Sequence, residues 1–332
     1  MIITKTPLRV SFIGGGSDVP AWYNDNVGRT LTATIGLHVY CAISRHFDES
    51  RYRVAYSMTE DVDSLEHMQH DLIRCALRRC GFVDGGIEIH TIADVSGQGT
   101  GLGSSAAVTV GTLNGLYRMM GREATFADVG KEAAAIEMID LKSAGGKQDQ
   151  YAVAKGGVTS WTFQSRDPVV SWVDHKVSPL VLAQWQATLV LYPTRMARDS
   201  RKMLARQRDG LLGQYGSLYM HNLLQWFDEA EQTLLAGRMI DFGRILATTW
   251  LLKKRINPEA SSPALDALYE RALHAGAIGG KICGAGGGGY MLLVVPPEKK
   301  RLVDEAIGTK GRLVDWGVPG SQVVYDDEGH HE

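Results

Sequence analysis

The stretch GQGTGLGSSAAV, residues 97–108, places glycines at alternating positions, then two serines, then small residues that can open a helix. Such a loop brings backbone N–H groups close to something negatively charged. It contains no lysine or arginine. A Walker loop needs a lysine directly after its last glycine, and serine stands there instead. Gly101, Gly103 and Ala106 satisfy the dinucleotide string G-x-G-x-x-A, with Glu123 about twenty residues on, but Val95 ends the preceding strand pattern too early and the next element reads as helix. A second string, GAGGGG at 284–289, runs into YMLLVV, a strand pattern that offers no helix N-terminus to a pyrophosphate. What remains is a loop whose amides, backed by a helix starting near Ser105, hold a polyphosphate without a local side-chain cation. Magnesium could supply that charge, held by a serine hydroxyl and a carboxylate from elsewhere in the chain.

The 332 residues suffice for two packed domains, with a soft boundary near residue 180. Thirty-five basic residues against thirty-seven acidic ones leave a formal charge of −2, which argues against nucleic acid or an anionic membrane as partner. The N-terminus lacks a signal-peptide pattern and the longest apolar run is too short to span a bilayer, so a cytoplasmic location and a small-molecule partner are expected. Cys41, Cys75, Cys80 and Cys283 are too scattered for a disulfide framework and are expected reduced. His67 and His70 share a helical face, but no third ligand stands at a recognisable spacing.

Hydrophobic periodicity predicts opening strands at 2–13 and 30–46, a helix over 63–79 ended by Gly81, and a strand at 87–95 leading into the quoted loop. A helix stopped at Gly121 follows, then another over Phe126–Asp140, the broken stretch SAGGKQD and a short helix before Gly156. GVTSWTF, VVSWVDHKV and WQATLVLYPT read as strands, and beyond Asp199 the pattern is mostly helical up to KICGAGGGG. The polar ending DDEGHHE reads as frayed.

Three ordered motifs together resemble the GHMP small-molecule kinases: TPLRVSFIGGGSD at 6–18, GLGSSAA at 101–107 and KICGAGGGGYML at 281–292. Within that family the likeness is strongest to the D-glycero-D-manno-heptose 7-phosphate kinases, in PLRVSFIGGGSDVPAWY, TATIGLHVYCAI and GGKQDQYAVAKGG, and the fucokinase branch shares the GGG-x-x-D opening. The resemblance implies an α+β, two-lobed fold: residues 1–180 as a mixed-sheet domain binding ATP and Mg2+, residues 181–332 as an α/β sandwich covering the substrate. It implies transfer of the γ-phosphate of Mg·ATP to the anomeric hydroxyl of a heptose 7-phosphate, giving the 1,7-bisphosphate. A fucokinase, a non-catalytic sugar and ATP sensor, and a nicotinamide enzyme are the competing readings. A homodimer is the default expectation for a soluble enzyme.

By that resemblance Gly99, Gly101, Leu102, Gly103, Ser104, Ser105 and Ala106 would bind the nucleotide, and Ser105 and Glu137 the magnesium. Ser104 could equally cap the helix. Asp149, seven residues before Gly156, matches the family's catalytic carboxylate, and Arg9 its basic position in the first motif. Asp149 could alternatively be an N-cap, Glu137 a solvated helix residue and Arg9 part of a structural ion pair. Gly16, Ser17 and Asp18 match the sugar-gripping motif, with Asp149 also facing the sugar, and Gly286 and Gly287 would cover it with backbone. For the sugar phosphate, Arg198 is the favoured cation within PTRMARDSRK, with Lys147 and Lys281 as further candidates.

Overall fold

In the computed structural model, which describes residues 1–95, 99–165, 170–196 and 198–327, the strand β1 (Ile2–Ile13) is buried continuously from Thr6 to Ile13. Burial without alternation marks a strand covered on both faces, with Leu8, Val10 and Phe12 in the apolar core and Arg9 and Ser11 buried at the cleft. It pairs antiparallel with β2 (Gly28–Arg45), whose far edge is shared: residues 28–33 pair with β6 (Val158–Phe163) and residues 39–45 with β5 (Ile87–Ala93). β3 (Tyr52–Ala55) runs parallel to β5 and antiparallel to β4 (Thr59–Val62), and β7 (Ser171–Asp174) pairs with β6. A second, antiparallel sheet has the order β8 (Leu189–Pro193), β10 (Tyr290–Val294), β9 (Gly279–Ile282). Finally β11 (Gln322–Asp326) returns to the free edge of β1. The mixed first sheet is the α+β arrangement expected, and its mostly antiparallel pairing excludes a Rossmann unit around the glycine loop.

The helices are α1 (Pro20–Tyr23), α2 (Asp71–Arg79), α3 (Ser104–Met119), α4 (Phe126–Ala135), α5 (Gln148–Lys155) and α6 (Pro179–Thr188), followed by α7 (Ser200–Leu212), α8 (Gly216–Gln225), α9 (Phe227–Leu235), α10 (Met239–Ile256), α11 (Pro263–His274) and α12 (Lys300–Ile307). Two expectations are corrected. The helix expected over 63–79 is a single 3₁₀ turn at Leu65–His67 followed by α2. Met68 is extended, the Glu60 carboxylate accepts from the amides of Gln69 and His70, and the His70 ring accepts from Ile73 N, so α2 is started afresh at Asp71. His67 instead meets Asp63 and His70 packs edge-on against Tyr56, which separates the two rings' roles. The strand expected from Trp185 begins only at Leu189, because Ser178 caps and Pro179 opens α6 through Thr188. The ending is not wholly frayed: Asp326 pairs with Arg118 and Asp327 with the N-terminal ammonium, while residues 328–332 lie outside the described set.

Residue 180, near the expected boundary, lies in the first turn of α6, and the apolar core runs across it. One apolar cluster joins Leu8, Phe12 and Leu31 to Trp185, Phe242, Leu292 and Trp316. Phe12 is its hub, with ring centroids 5.5 Å from Trp316, 5.6 Å from Phe242 and 6.0 Å from Trp185. Phe12→Ala is therefore expected to lower unfolding free energy by about 3–5 kcal/mol in a urea titration; a change below about 1 kcal/mol would mean the two halves do not share this core.

Candidate active site

The quoted loop is held by its carbonyls. Gly99 O accepts from Arg198 Nε (2.8 Å), Thr100 O from Tyr290 N (3.0 Å), Gly101 O from Arg9 Nη1 (2.8 Å) and Leu102 O from Arg9 N (2.9 Å). Gly99, Gly101 and Gly103 all have φ near +79°, a conformation that side chains rarely adopt. Alternating left-handed residues form the concave run of amides that suits an anion. Gly103 is the N-cap of α3 and no side chain caps it, so neither serine has the capping task. The leading amides of a helix lack intrahelical acceptors, and here they lie beside the exposed Ser105. Leu102 N is the exception in the loop, donating to Thr100 Oγ1, and Gly97 and Gln98 lie outside the described residues.

Arg9 lies on β1 and is almost wholly buried. Its Nε donates to Asp149 Oδ1 at 2.7 Å and its Nη2 to Asp149 Oδ2, while Nη1 holds Gly101 O. One guanidinium thus joins the carboxylate to the glycine-loop backbone. Asp149 stands in the first turn of α5, whose N-cap is Lys147, so its carboxylate is not an N-cap and remains partly open to the cleft.

Asp18 ends the glycine turn after β1, where Ser17 N closes on Gly14 O. Its carboxylate is buried and accepts from Gly16 N, Gln148 N and Gln148 Nε2. Burial, and then the neighbouring Asp149 charge, push its pKa upward. A Cβ on Gly146 would stand 2.0 Å from Asp18 Oδ2, so the glycines of SAGGKQD permit this approach. Ser17 points away, exchanging hydrogen bonds with the Arg29 backbone.

Arg9, Ser11, Gly16, Asp18, Glu137, Gln148, Asp149, Gln150, Gln207, Lys253, Lys281 and Gly284 share one cleft of about 560 Å³, part of it open solvent. Glu137 belongs to a π turn, Ile136–Asp140, that extends α4. Its Oε1 accepts from Gln150 Nε2 at 2.7 Å, and burial of the carboxylate raises its pKa to about 7, with Asp149 adding to the rise. Among the described residues it has no ion-pair partner, which suits a carboxylate kept for a cation, and no cluster of three His, Cys, Asp or Glu side chains surrounds it. A magnesium ion bound there would depend mainly on phosphate and water oxygens, the usual preference of that ion.

Arg198, the favoured sugar-phosphate clamp, is turned inward. Besides the Nε bond to Gly99 O, its Nη1 reaches Cys283 O (3.5 Å) and Gly286 O, so it staples the 99–103 glycine loop to the C-terminal glycine loop. Burial lowers its pKa to about 10. Gly286 and Gly287 pack on Ala260 and Met203, and the cleft is lined instead by Gly284 and Ala285. Lys147 lies over the Tyr23 ring, 4.5 Å from its centroid. Lys253, Gln148, Gln150 and Gln207 were not singled out from the sequence. In KKR at 253–255 a lysine reads as a solvated helix end, and only packing shows that Lys253 is buried.

A chain that lays an uncapped glycine loop beside a carboxylate gripped by arginine has the layout of a phosphotransferase. Residues 69–157 match the GHMP kinases N terminal domain and residues 230–312 match GHMP kinases C terminal. The chain is 31% identical to D-glycero-alpha-D-manno-heptose 7-phosphate kinase of Campylobacter jejuni, over 86% of each. It is 25% identical to a bifunctional fucokinase/GDP-fucose pyrophosphorylase of Arabidopsis thaliana, over 85% of this chain and 28% of that protein. Among solved structures, a D-glycero-D-manno-heptose 1-phosphate kinase from Bacteroides thetaiotaomicron superposes with a TM-score of 0.78 at 27% identity, over 98% of this chain and all of that one. The chain belongs to the GHMP kinase family and is a kinase.

The raised pKa of Glu137 sets a pH dependence. Between its ordinary value of 4.5 and about 7 the folded state binds a proton that the unfolded chain has released, so this group's contribution to stability falls as pH rises through that window. Glu137→Gln keeps an acceptor for Gln150 and removes the titration. Without magnesium, urea titrations at pH 5 and pH 7 should show the variant gaining on the parent as pH rises, by at most about 1.4 kcal/mol per pH unit. Parallel curves would place the carboxylate in contact with water.

Proposed function

We propose that this kinase transfers the γ-phosphate of Mg·ATP to the anomeric hydroxyl of D-glycero-D-manno-heptose 7-phosphate, giving the 1,7-bisphosphate. The observation that supports the reading is the single Arg9 guanidinium joining Asp149 to Gly101 O, since it holds a carboxylate close to the glycine-loop backbone. The 31% identity to the Campylobacter jejuni enzyme supports the choice of heptose. In this reading residues 1–180 supply the nucleotide and magnesium groups, and residues 181–332 cover the acceptor.

Asp149 accepts the proton of the attacking hydroxyl. A carboxylate has about four lone-pair sites, so two hydrogen bonds from Arg9 leave room for the substrate proton. The amides of Gly103, Ser104, Ser105 and Ala106 receive the triphosphate, and Glu137 with Ser105 would hold magnesium, which supplies charge neutralisation of the phosphoryl oxygens when bound. Asp18, already accepting three hydrogen bonds from Gly16 N and Gln148, offers its remaining lone-pair site to a sugar hydroxyl. Arg198 positions the phosphate loop through its three carbonyl contacts. The fucokinase relative keeps an unphosphorylated sugar as the second reading.

A coupled ADP-release assay decides between them: the heptose 7-phosphate should turn over with the highest kcat/KM, and a clear preference for free fucose would reverse the assignment. Asp149→Asn is expected to lower kcat at least a hundredfold with ATP binding nearly intact. Turnover close to the parent's would reduce Asp149 to a partner that orients Arg9.

A further inference from the structure

Lys253 on α10 and Lys281 on β9 reach the same cleft, each only 6% exposed, and among the described residues neither pairs with a carboxylate. Lys253 Nζ donates to Gly284 O, and Lys281 Nζ to Ser11 O (2.8 Å) and Phe12 O (3.0 Å), carbonyls set at a register shift of β1 against β2. An ammonium has three donors, so Lys253 keeps two and Lys281 one. Ser11 Oγ, 4% exposed and lining the same cleft, has no hydrogen-bond partner. The other buried cations are committed, Arg9 to Asp149 and Gly101 O, Arg198 to three carbonyls. Burial lowers the pKa of both lysines, Lys281 to about 8, and the nearby Arg9 charge adds to the drop in each. Unpaired buried charge is costly, and two such charges with a free hydroxyl facing a cavity are satisfied together by an anion with several oxygens.

We propose that Lys253 Nζ, Lys281 Nζ and Ser11 Oγ form a subsite for a phosphoryl dianion on the floor of the cleft. The identity of that dianion rests on the sugar-phosphate kinase reading: it is the acceptor's own phosphate or the phosphoryl group in transfer, and both present the same oxygens. The subsite itself rests on the two lysines and Ser11, whatever the acceptor.

The test uses Lys253→Met, which keeps the chain length and removes one charge, with Ser11→Ala as a milder second variant should the first fail to fold. With ADP saturating the nucleotide site, inorganic phosphate should raise the melting temperature of the parent and do so much less in either variant; equal shifts in parent and folded variants overturn the subsite whatever the kinase does. In turnover, Lys253→Met should raise KM for a phosphorylated sugar at least tenfold with a smaller effect on a free sugar if the acceptor's phosphate sits there. An equal loss of kcat on both sugars assigns the subsite to the phosphoryl group in transfer. Kinetics matching the parent on both sugars overturn the proposal. A parent that binds phosphate through Lys253 but phosphorylates no sugar phosphate would refute the proposed reaction and leave the subsite standing.

Discussion

The geometry of the site hangs on one side chain, Arg9, whose planar fork meets both oxygens of Asp149 and the carbonyl of Gly101 at once. Charge-assisted, bidentate pairing fixes distance and plane together, which a flexible lysine could not do. Its own backbone amide holds Leu102 O, so strand and glycine loop are joined through main chain as well as side chain. Because β1 is also the strand whose Phe12 centres the apolar core, the Arg9–Asp149 pair is mounted on a closely packed part of the fold.

Around that fork the cleft carries charge of both signs that the protein alone does not neutralise. Burial raises the pKa of Asp18 and Glu137 and lowers that of Lys253 and Lys281. Each direction reports the cost of holding an ion away from water without a full complement of partners. The acids occupy the turn after β1 and the π turn that extends α4, and the two lysines occupy elements of the second half, so charge of both signs faces one cleft.

The second half of the chain contributes by closing distances. Arg198 draws the C-terminal glycine loop against the 99–103 glycine loop, and a Cβ on Gly101 would stand 2.4 Å from Cys283 O. Two backbones this close leave no room for side chains, which explains why glycine recurs at both places. The return of β11 to β1 and the packing of Trp316 on Phe12 then tie the end of the chain to its beginning.

Much of this was legible in the residues themselves. Alternating glycines before a helix, the long strands 2–13 and 30–46 and the break at SAGGKQD all depend on backbone conformation or periodicity within a few neighbouring residues, while the three ordered motifs named the family and only that resemblance pointed to the carboxylate at 149. The helix at 179–188 and the split at 65–71 were hidden by caps, where Ser178 and His70 outweigh the apolar pattern. Only the tertiary structure decided that Arg198 faces inward, that Lys253 is buried and that Arg9 grips a residue 140 positions away. A sequence by itself determines what each short segment can adopt, because local sterics and hydrogen bonding act between neighbours. Which charges lose their water, and against what, is set by contacts between segments far apart in the chain, and that was decided only when the two sheets packed.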